Sequence, residues 1–221
     1  MLKDHPTHEY LNGILKELVS DLESGAICPE DLGEDLVHSF MKSLDRKKVI
    51  IPTFSGLKLN ILSPLDRDIS IEDIAISLSR ECRFAGHTKK FYSVAQHSLH
   101  VSEILPHSLA LEGLLHDATE AYLRDIASPF KELLPEYRRI ERLLDGAIRK
   151  KFGLPLEMDR EVDLADRVLL ATEKRDLMEG CRDEWPVLHG ITPLPFEIVP
   201  LPEEKAFDAF MQRFSVLSSH D

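Results

Sequence analysis

Apolar side chains recur every three or four residues through most of this chain, the spacing that lays them along one face of an α-helix. Thr7 can cap a helix over residues 8–23, with Leu11, Ile14, Leu15, Leu18, Val19 and Leu22 on one side and Gly25 past its end. Pro29 suits the first turn of a second, which carries Leu32, Leu36, Val37, Phe40, Met41 and Leu44 and runs into the basic knot Arg46-Lys47-Lys48. No chemical constellation falls in residues 1–48, which read as a two-helix N-terminal extension to a main domain over 49–221.

The period then shortens. Residues 49–54 and 57–62 flank Ser55-Gly56 and predict a short β-hairpin, with Pro52 confining its strand to an edge. Ser70 can cap a helix over 71–81 that has Glu72 and Asp73 in its first turn. Residues 82–92 read as a loop that delivers Arg83, Phe84, His87, Lys89 and Lys90 to the start of a helix over 94–105, ended by Pro106. The apolar run from Leu109 predicts a further helix passing through His116 to Glu120, and Asp125 to Lys131 leaves it as a turn. A charged amphipathic helix over 135–152 has Ile140, Leu143, Leu144, Ala147 and Ile148 on its stripe and closes at Gly153. Another over 159–179 is expected to bury Val162, Leu164, Ala165, Val168, Leu169 and Leu177. Residues 180–202, rich in proline and holding Trp185, predict a long loop over the body, before a last helix over 203–217. The fold class expected is mainly all-α.

A length of 221 residues suits one well-packed domain with additions. No apolar run approaches the roughly 20 residues that cross a bilayer, and the first residues lack a signal-peptide core, so a cytoplasmic protein without a membrane partner is expected. Cys28, Cys82 and Cys181 are widely spaced and read as reduced thiols. A net charge of -12 argues against a sequence-independent nucleic-acid binder. Positive charge gathered at Arg83, His87, Lys89, Lys90 and Lys131 can still hold a small phosphorylated ligand, although Lys89 and Lys131 read more plainly as solvated surface residues. Self-association into a homo-oligomer is left open.

His116 and Asp117 are adjacent, and side chains at neighbouring helical positions point about 100° apart, so both can converge on one ion held between helices. Glu120, four residues after His116, faces the same side one turn along, and His97 comes from the preceding helix. Any one of these alone reads as a hydrogen-bonded core histidine or a solvated carboxylate. Together, along otherwise apolar segments, they need partners, because burying an unpaired charge costs several kcal/mol. Asp163 and Asp166 interrupt the apolar pattern of their helix, and Asp166 at its heart calls for something positive beside it.

The ordered set His97, His116-Asp117, Glu120 and Asp166 resembles the HD-domain metal-dependent phosphohydrolases. The wording Arg83-Phe84, Ser93-Val-Ala-Gln-His97, His116-Asp117-Ala-Thr-Glu120 and Asp125-Ile-Ala-Ser128-Pro-Phe-Lys131 looks most like the branch that includes the bacterial 5'-deoxynucleotidases, over residues 53–179. The resemblance implies an HD-domain helical bundle in which His97, His116, Asp117 and Asp166 hold one divalent cation: Mn, Co, Fe, Zn or, less comfortably, Mg. Relatives with two metals use extra histidines between the His-Asp pair and the last aspartate, and this chain has none from Ala118 to Ala165. The resemblance further implies that Glu120 does general acid/base work or orients water, and that Arg83 grips phosphate fork-fashion. Phe84 would then pack on sugar or base where relatives often have tryptophan, with Asp125 and Ser128 contacting a nucleotide substrate. The expected reaction converts a (deoxy)nucleoside 5'-monophosphate to nucleoside and phosphate. The alternatives are release of triphosphate from a dNTP, or nucleotide sensing without cleavage.

Overall fold

The structure, a computed structural model, describes residues 49–178, 180, 181 and 183–219, with the side chain of Ser128 outside that description. The two helices expected in residues 1–48 lie outside the described residues, as does Cys28. Over the rest the protein is predominantly all-α, and its one sheet among the described residues is a two-stranded hairpin.

Strands β1 (Ile50–Pro52) and β2 (Lys58–Asn60) pair antiparallel with Ile51 opposite Leu59, and Pro52 stands on an edge where its missing N–H is harmless. The hairpin turn is fixed from outside: the Ser55 backbone N–H and hydroxyl both donate to Asp73, each at 2.7 Å. Asp73 belongs to α1 (Ile71–Arg80), whose first turn is capped by Ser70 Oγ accepting from Glu72 N–H.

Residues 82–92 form the predicted loop, closed at its neck by a bridge between Cys82 and Ser93 in which Arg83 N–H donates to the Tyr92 carbonyl at 2.9 Å. That closure fixes Arg83 beside the first turn of α2 (Val94–Ile104), which Ser93 caps. Helix α2 is buried on nearly every side, as expected of the central element of a bundle. Its interior polar groups are met: Gln96 Nε2 donates to the Val199 carbonyl at 2.9 Å, and Ser102 Oγ donates to the Ala110 carbonyl at 2.7 Å.

Helix α3 (His107–Leu115) packs closely against α2, and a Cβ at Gly113 would run into Leu105 Cδ1, so a larger residue there requires the leucine side chain to shift. The expected continuous helix through Glu120 does not form. The run from His116 to Thr119 is a series of tight turns with bonds from Ala118 N–H to the Leu115 carbonyl and Glu120 N–H to the Asp117 carbonyl, and a one-turn α4 (Glu120–Leu123) follows. The reason is local: the imidazole of His116 takes the Gly113 carbonyl at 2.8 Å, an acceptor that a continuing α-helix would use.

The one-turn α5 (Ser128–Lys131) leads into α6 (Pro135–Lys151), begun by proline at its first position. Helix α7 (Arg160–Leu177), capped by Asp159, packs on α2 and α3, and α8 (Glu203–Ser218) packs on α1, α2 and α3. Leu164, expected in the core, is instead 52% exposed, because the buried face of α7 runs through Val162, Ala165, Leu169 and Thr172. Two apolar clusters result. Leu59, Ile74, Leu78, Leu114, Leu144, Ile148 and Phe210 fill one, and Tyr92, Val101, Leu105, Val162, Leu169 and Leu177 the other. Each large side chain so buried contributes about 1.5–3 kcal/mol.

The predicted loop over 180–202 runs along α7, held by Arg175 Nη2 to the Phe196 carbonyl at 2.6 Å and Leu194 N–H to Thr172 Oγ1 at 2.9 Å. No helix among the described residues is long and apolar enough to cross a membrane.

Candidate metal centre

Helix α2 carries His97 and the end of α3 carries His116, and the close α2–α3 packing brings their Nε2 atoms to 3.2 Å. Helix α7 brings Asp166, whose Oδ1 lies 3.1 Å from His97 Nε2 and 3.9 Å from His116 Nε2. His97, His116 and Asp166 thus form a group that could hold a metal ion, one donor atom from each lying within 4.8 Å of the others. Asp117 adds Oδ2 at 3.4 Å from His97 Nε2 and 3.3 Å from His116 Nε2, so it touches both imidazoles without completing that mutually close trio. Donor separations of about 3.0–3.4 Å are what neighbouring ligands show around an ion about 2.1 Å from each.

The donor chemistry fits a cation. His97 Nδ1 lies 2.7 Å from Glu173 Oε1 and His116 Nδ1 lies 2.8 Å from the Gly113 carbonyl. Both of those oxygens can only accept, so each Nδ1 donates and it is Nε2, once it carries no proton, that can turn a lone pair toward the common point, the arrangement outer hydrogen bonds impose on metal-binding histidines. The histidine side chains are sealed, whereas Asp117 and Asp166 keep 20% and 35% exposure, which sets the open side of the cluster along the two aspartates.

The electrostatics follow from crowding. Burial and Arg83 oppose a charge on His97, but Glu173 and Asp166 outweigh them and push its pKa up to about 10. Burial likewise opposes ionisation of Asp117, yet His116, His97 and Arg83 hold it well below the usual carboxylate range. Glu120 goes the other way: burial first, then the charges of Asp117 and Asp125, keep its carboxyl protonated well above the usual range. Its Oε2 is buried without a hydrogen-bond partner, and Oε1 stands 3.4 Å from Lys131 Nζ. Lys131, expected as a solvated surface residue, is instead only partly exposed and also donates to Glu141 at 2.8 Å.

Arg83 is buried beside the cluster. Its Nη2 donates to Glu173 Oε2 at 3.1 Å, while Nη1 stands 3.8 Å from Asp117 Oδ2 and 3.9 Å from Asp125 Oδ2. The guanidinium lies over the Phe84 ring at 5.3 Å, and Phe84 in turn meets Trp185 of the 180–202 loop at 6.1 Å. Phe84 and Ala85 both adopt left-handed backbone (φ 54° and 50°), a strained pair of the kind found where a loop is bent to present side chains. Asp163 turns away to pair with Arg167 at 2.7 Å, and His100 is engaged by Gln96 and Glu103, so neither joins the cluster. Of Ser128 only the backbone, at the start of α5, is described.

Sequence reasoning missed Glu173, which is fully buried and touches both His97 and Arg83. The available signal was a carboxylate seven residues past Asp166, two turns along the same helical face, at the end of the apolar run 168–172.

Fold and site together define a helical protein with a buried cluster of two histidines and a carboxylate able to hold a metal. The chain is 49% identical to the uncharacterized protein YfdR of Escherichia coli K12, an alignment covering 76% of this chain and 95% of YfdR. It is also 33% identical to an uncharacterized protein of Rhodobacter capsulatus, RCAP_rcc00048, over 74% of this chain and 92% of that protein. The chain belongs to the family of YfdR. No family model matches it.

Proposed function

We propose that the protein is a metal-dependent phosphohydrolase of the HD type, cleaving the phosphate ester of a (deoxy)nucleoside 5'-monophosphate to nucleoside and inorganic phosphate. The observation that carries this reading is the convergence of both imidazole Nε2 atoms with carboxylate oxygens of Asp117 and Asp166, next to a buried arginine and a glutamate whose carboxyl burial pushes toward the neutral form. His97, His116, Asp117 and Asp166 would hold one divalent cation. When bound, such an ion polarises a phosphoryl oxygen and lowers the pKa of a bound water.

The chain's own residues supply the rest. Arg83 offers Nη1 to a phosphate oxygen while Nη2 stays on Glu173, so its contact with phosphate is one-sided rather than the fork expected from sequence. Glu120 holds the proton that a leaving nucleoside oxygen takes up, and Lys131 fixes that carboxyl in place. Asp125, whose carboxyl burial raises toward the neutral form, can meet a sugar hydroxyl. Phe84, backed by Trp185, offers an aromatic face to a sugar or base.

A panel of nucleoside mono- and triphosphates, assayed with Mn or Co and with the released anion identified, tests the reading. Inorganic phosphate released from monophosphates is the expected result. Release of inorganic triphosphate would assign the reaction to dNTPs instead, and nucleotide binding without turnover under any metal would make the protein a sensor.

A further inference from the structure

We propose that Glu173 is a positioning residue that couples the metal cluster to Arg83, so that affinity for a divalent cation and affinity for a phosphate group rise together. This rests on the phosphohydrolase reading above, because it takes Arg83 as the phosphate-facing cation.

Glu173 is fully buried, and its two oxygens meet different partners: Oε1 meets His97 Nδ1 at 2.7 Å and Oε2 meets Arg83 Nη2 at 3.1 Å, with the Tyr92 hydroxyl also close to the carboxylate. One rigid carboxylate therefore spans a cluster donor and the guanidinium. It sits on α7 two turns beyond Asp166, so the same helix supplies one donor to the cluster and orients another. Arg83 is incompletely matched without a ligand. Among the described residues its buried Nε has no hydrogen-bond partner, and Nη1 is beyond hydrogen-bonding distance from both nearby carboxylates, whose closest approach is 3.8 Å. Nη2 alone is anchored, and the anchor is Glu173.

The coupling is a consequence of sharing. A cation on His97 Nε2 makes the Nδ1–H a stronger donor, which holds Oε1 and, through the planar carboxylate, holds Oε2 where Nη2 needs it. Arg83 so held presents its remaining N–H groups in one orientation. By linkage, phosphate on Arg83 must favour the cation by the same factor. A bridge that merely stitched α7 to α2 and the 82–92 loop would stabilise the fold and leave the phosphate effect, including the part due to direct contact of phosphate with the ion, unchanged when Glu173 is replaced.

Calorimetric titration of Mn into the full chain, with and without saturating inorganic phosphate, reads the coupling directly. In the native protein, phosphate is expected to tighten Mn binding by about 5- to 150-fold. Glu173→Gln keeps the shape, and its amide oxygen can still accept from His97, but its NH2 opposes Arg83. The expected result is Mn affinity lowered by about 10- to 100-fold, with the phosphate effect reduced to the part that direct contact with the ion supplies. Arg83→Lys leaves the Glu173–His97 bond in place and is expected to keep Mn affinity while reducing the phosphate effect to that same part. Circular dichroism and thermal melting check that both variants fold.

A Glu173→Gln protein that melts earlier but keeps native Mn affinity and native phosphate coupling overturns the proposal, as does a native protein without coupling. Full coupling in Arg83→Lys overturns it too. Coupled binding in a protein that cleaves no nucleotide would leave this inference standing and remove the nucleotidase reading. Should Glu173→Gln fail to fold, Glu173→Asp replaces it, since the shorter side chain reaches one partner but not both and must lose the coupling.

Discussion

The Nε2 atoms of His97 and His116 face each other across 3.2 Å, while each Nδ1 donates away from that gap, to Glu173 and to the Gly113 carbonyl. Two lone pairs cannot share so short a gap without a proton or a cation between them. On the proposed reading one divalent ion per chain takes that place, and His97→Ala, His116→Ala and Asp117→Ala are each expected to abolish stoichiometric metal along with activity. Metal analysis of the purified variants checks this.

Proton and cation compete for His97. Its pKa is raised from 6.5 to about 10, so a proton must leave before Nε2 can bind metal. Metal affinity is expected to increase with pH across that interval and to weaken in acid, and titrations in buffers of different ionisation enthalpy should count the protons released. In metal-free protein the sign reverses. A group whose folded pKa lies above its unfolded value stabilises the fold fully below about 6.5, and that contribution is lost as the pH rises through about 10. Melting temperature measured in chelator should fall over that range, and less steeply in His97→Gln.

On the proposed mechanism Glu120 and Asp117 separate by role. Glu120→Gln preserves shape and removes the transferable proton, so kcat is expected to drop by about 10²- to 10⁴-fold while bound metal is retained. Equal metal loss in Glu120→Gln and Asp117→Ala would show that Glu120 is a ligand.

A buried ion pair away from the cluster sets stability. Arg149 Nη1 donates to Glu112 Oε1 at 3.0 Å and to the Pro155 carbonyl at 2.8 Å, and Glu112 also accepts from Asp159 N–H at 3.0 Å. These bonds tie α3, α6 and the start of α7. Arg149→Met alone leaves a buried carboxylate unpaired and is expected to cost about 3–5 kcal/mol in urea unfolding, whereas the double variant with Glu112→Gln should recover part of that.

Close approach at one glycine is equally testable. Gly113→Ala drives a methyl into Leu105 Cδ1, and an overpacked core of this kind costs about 1–3 kcal/mol. Pairing it with Leu105→Ala should return some of the loss, read from the same unfolding curves.

Much of this was legible one residue at a time. Ser70 announces a helix start because a short polar side chain can satisfy the N–H groups a first turn leaves over. Pro52 marks an edge strand for the related reason that it has no N–H to give. The pairing of His97 with His116-Asp117 and Asp166 was legible through resemblance, and their order along the chain carried it. Three features were not. The break in the helix at His116 depends on a side chain capturing a backbone acceptor, which periodicity does not register. The partial burial of Lys131 depends on Glu120 and Glu141 arriving together from separate elements. The exposure of Leu164 depends on which face of α7 meets α2.

The sequence by itself determined where α1, α2, α6, α7 and α8 begin and end, within a residue or two, that most of them are amphipathic, and which side chains are chemically able to bind a cation, because these are properties of residue type and short-range spacing. Tertiary structure alone decided that Glu173 reaches both His97 and Arg83, from 76 and 90 positions away. It also decided that one aspartate of α7 turns inward while Asp163 turns out. Both outcomes depend on helix rotation and on the distance between packed axes, and those are set by the fit of all the core side chains at once rather than by any stretch of the chain.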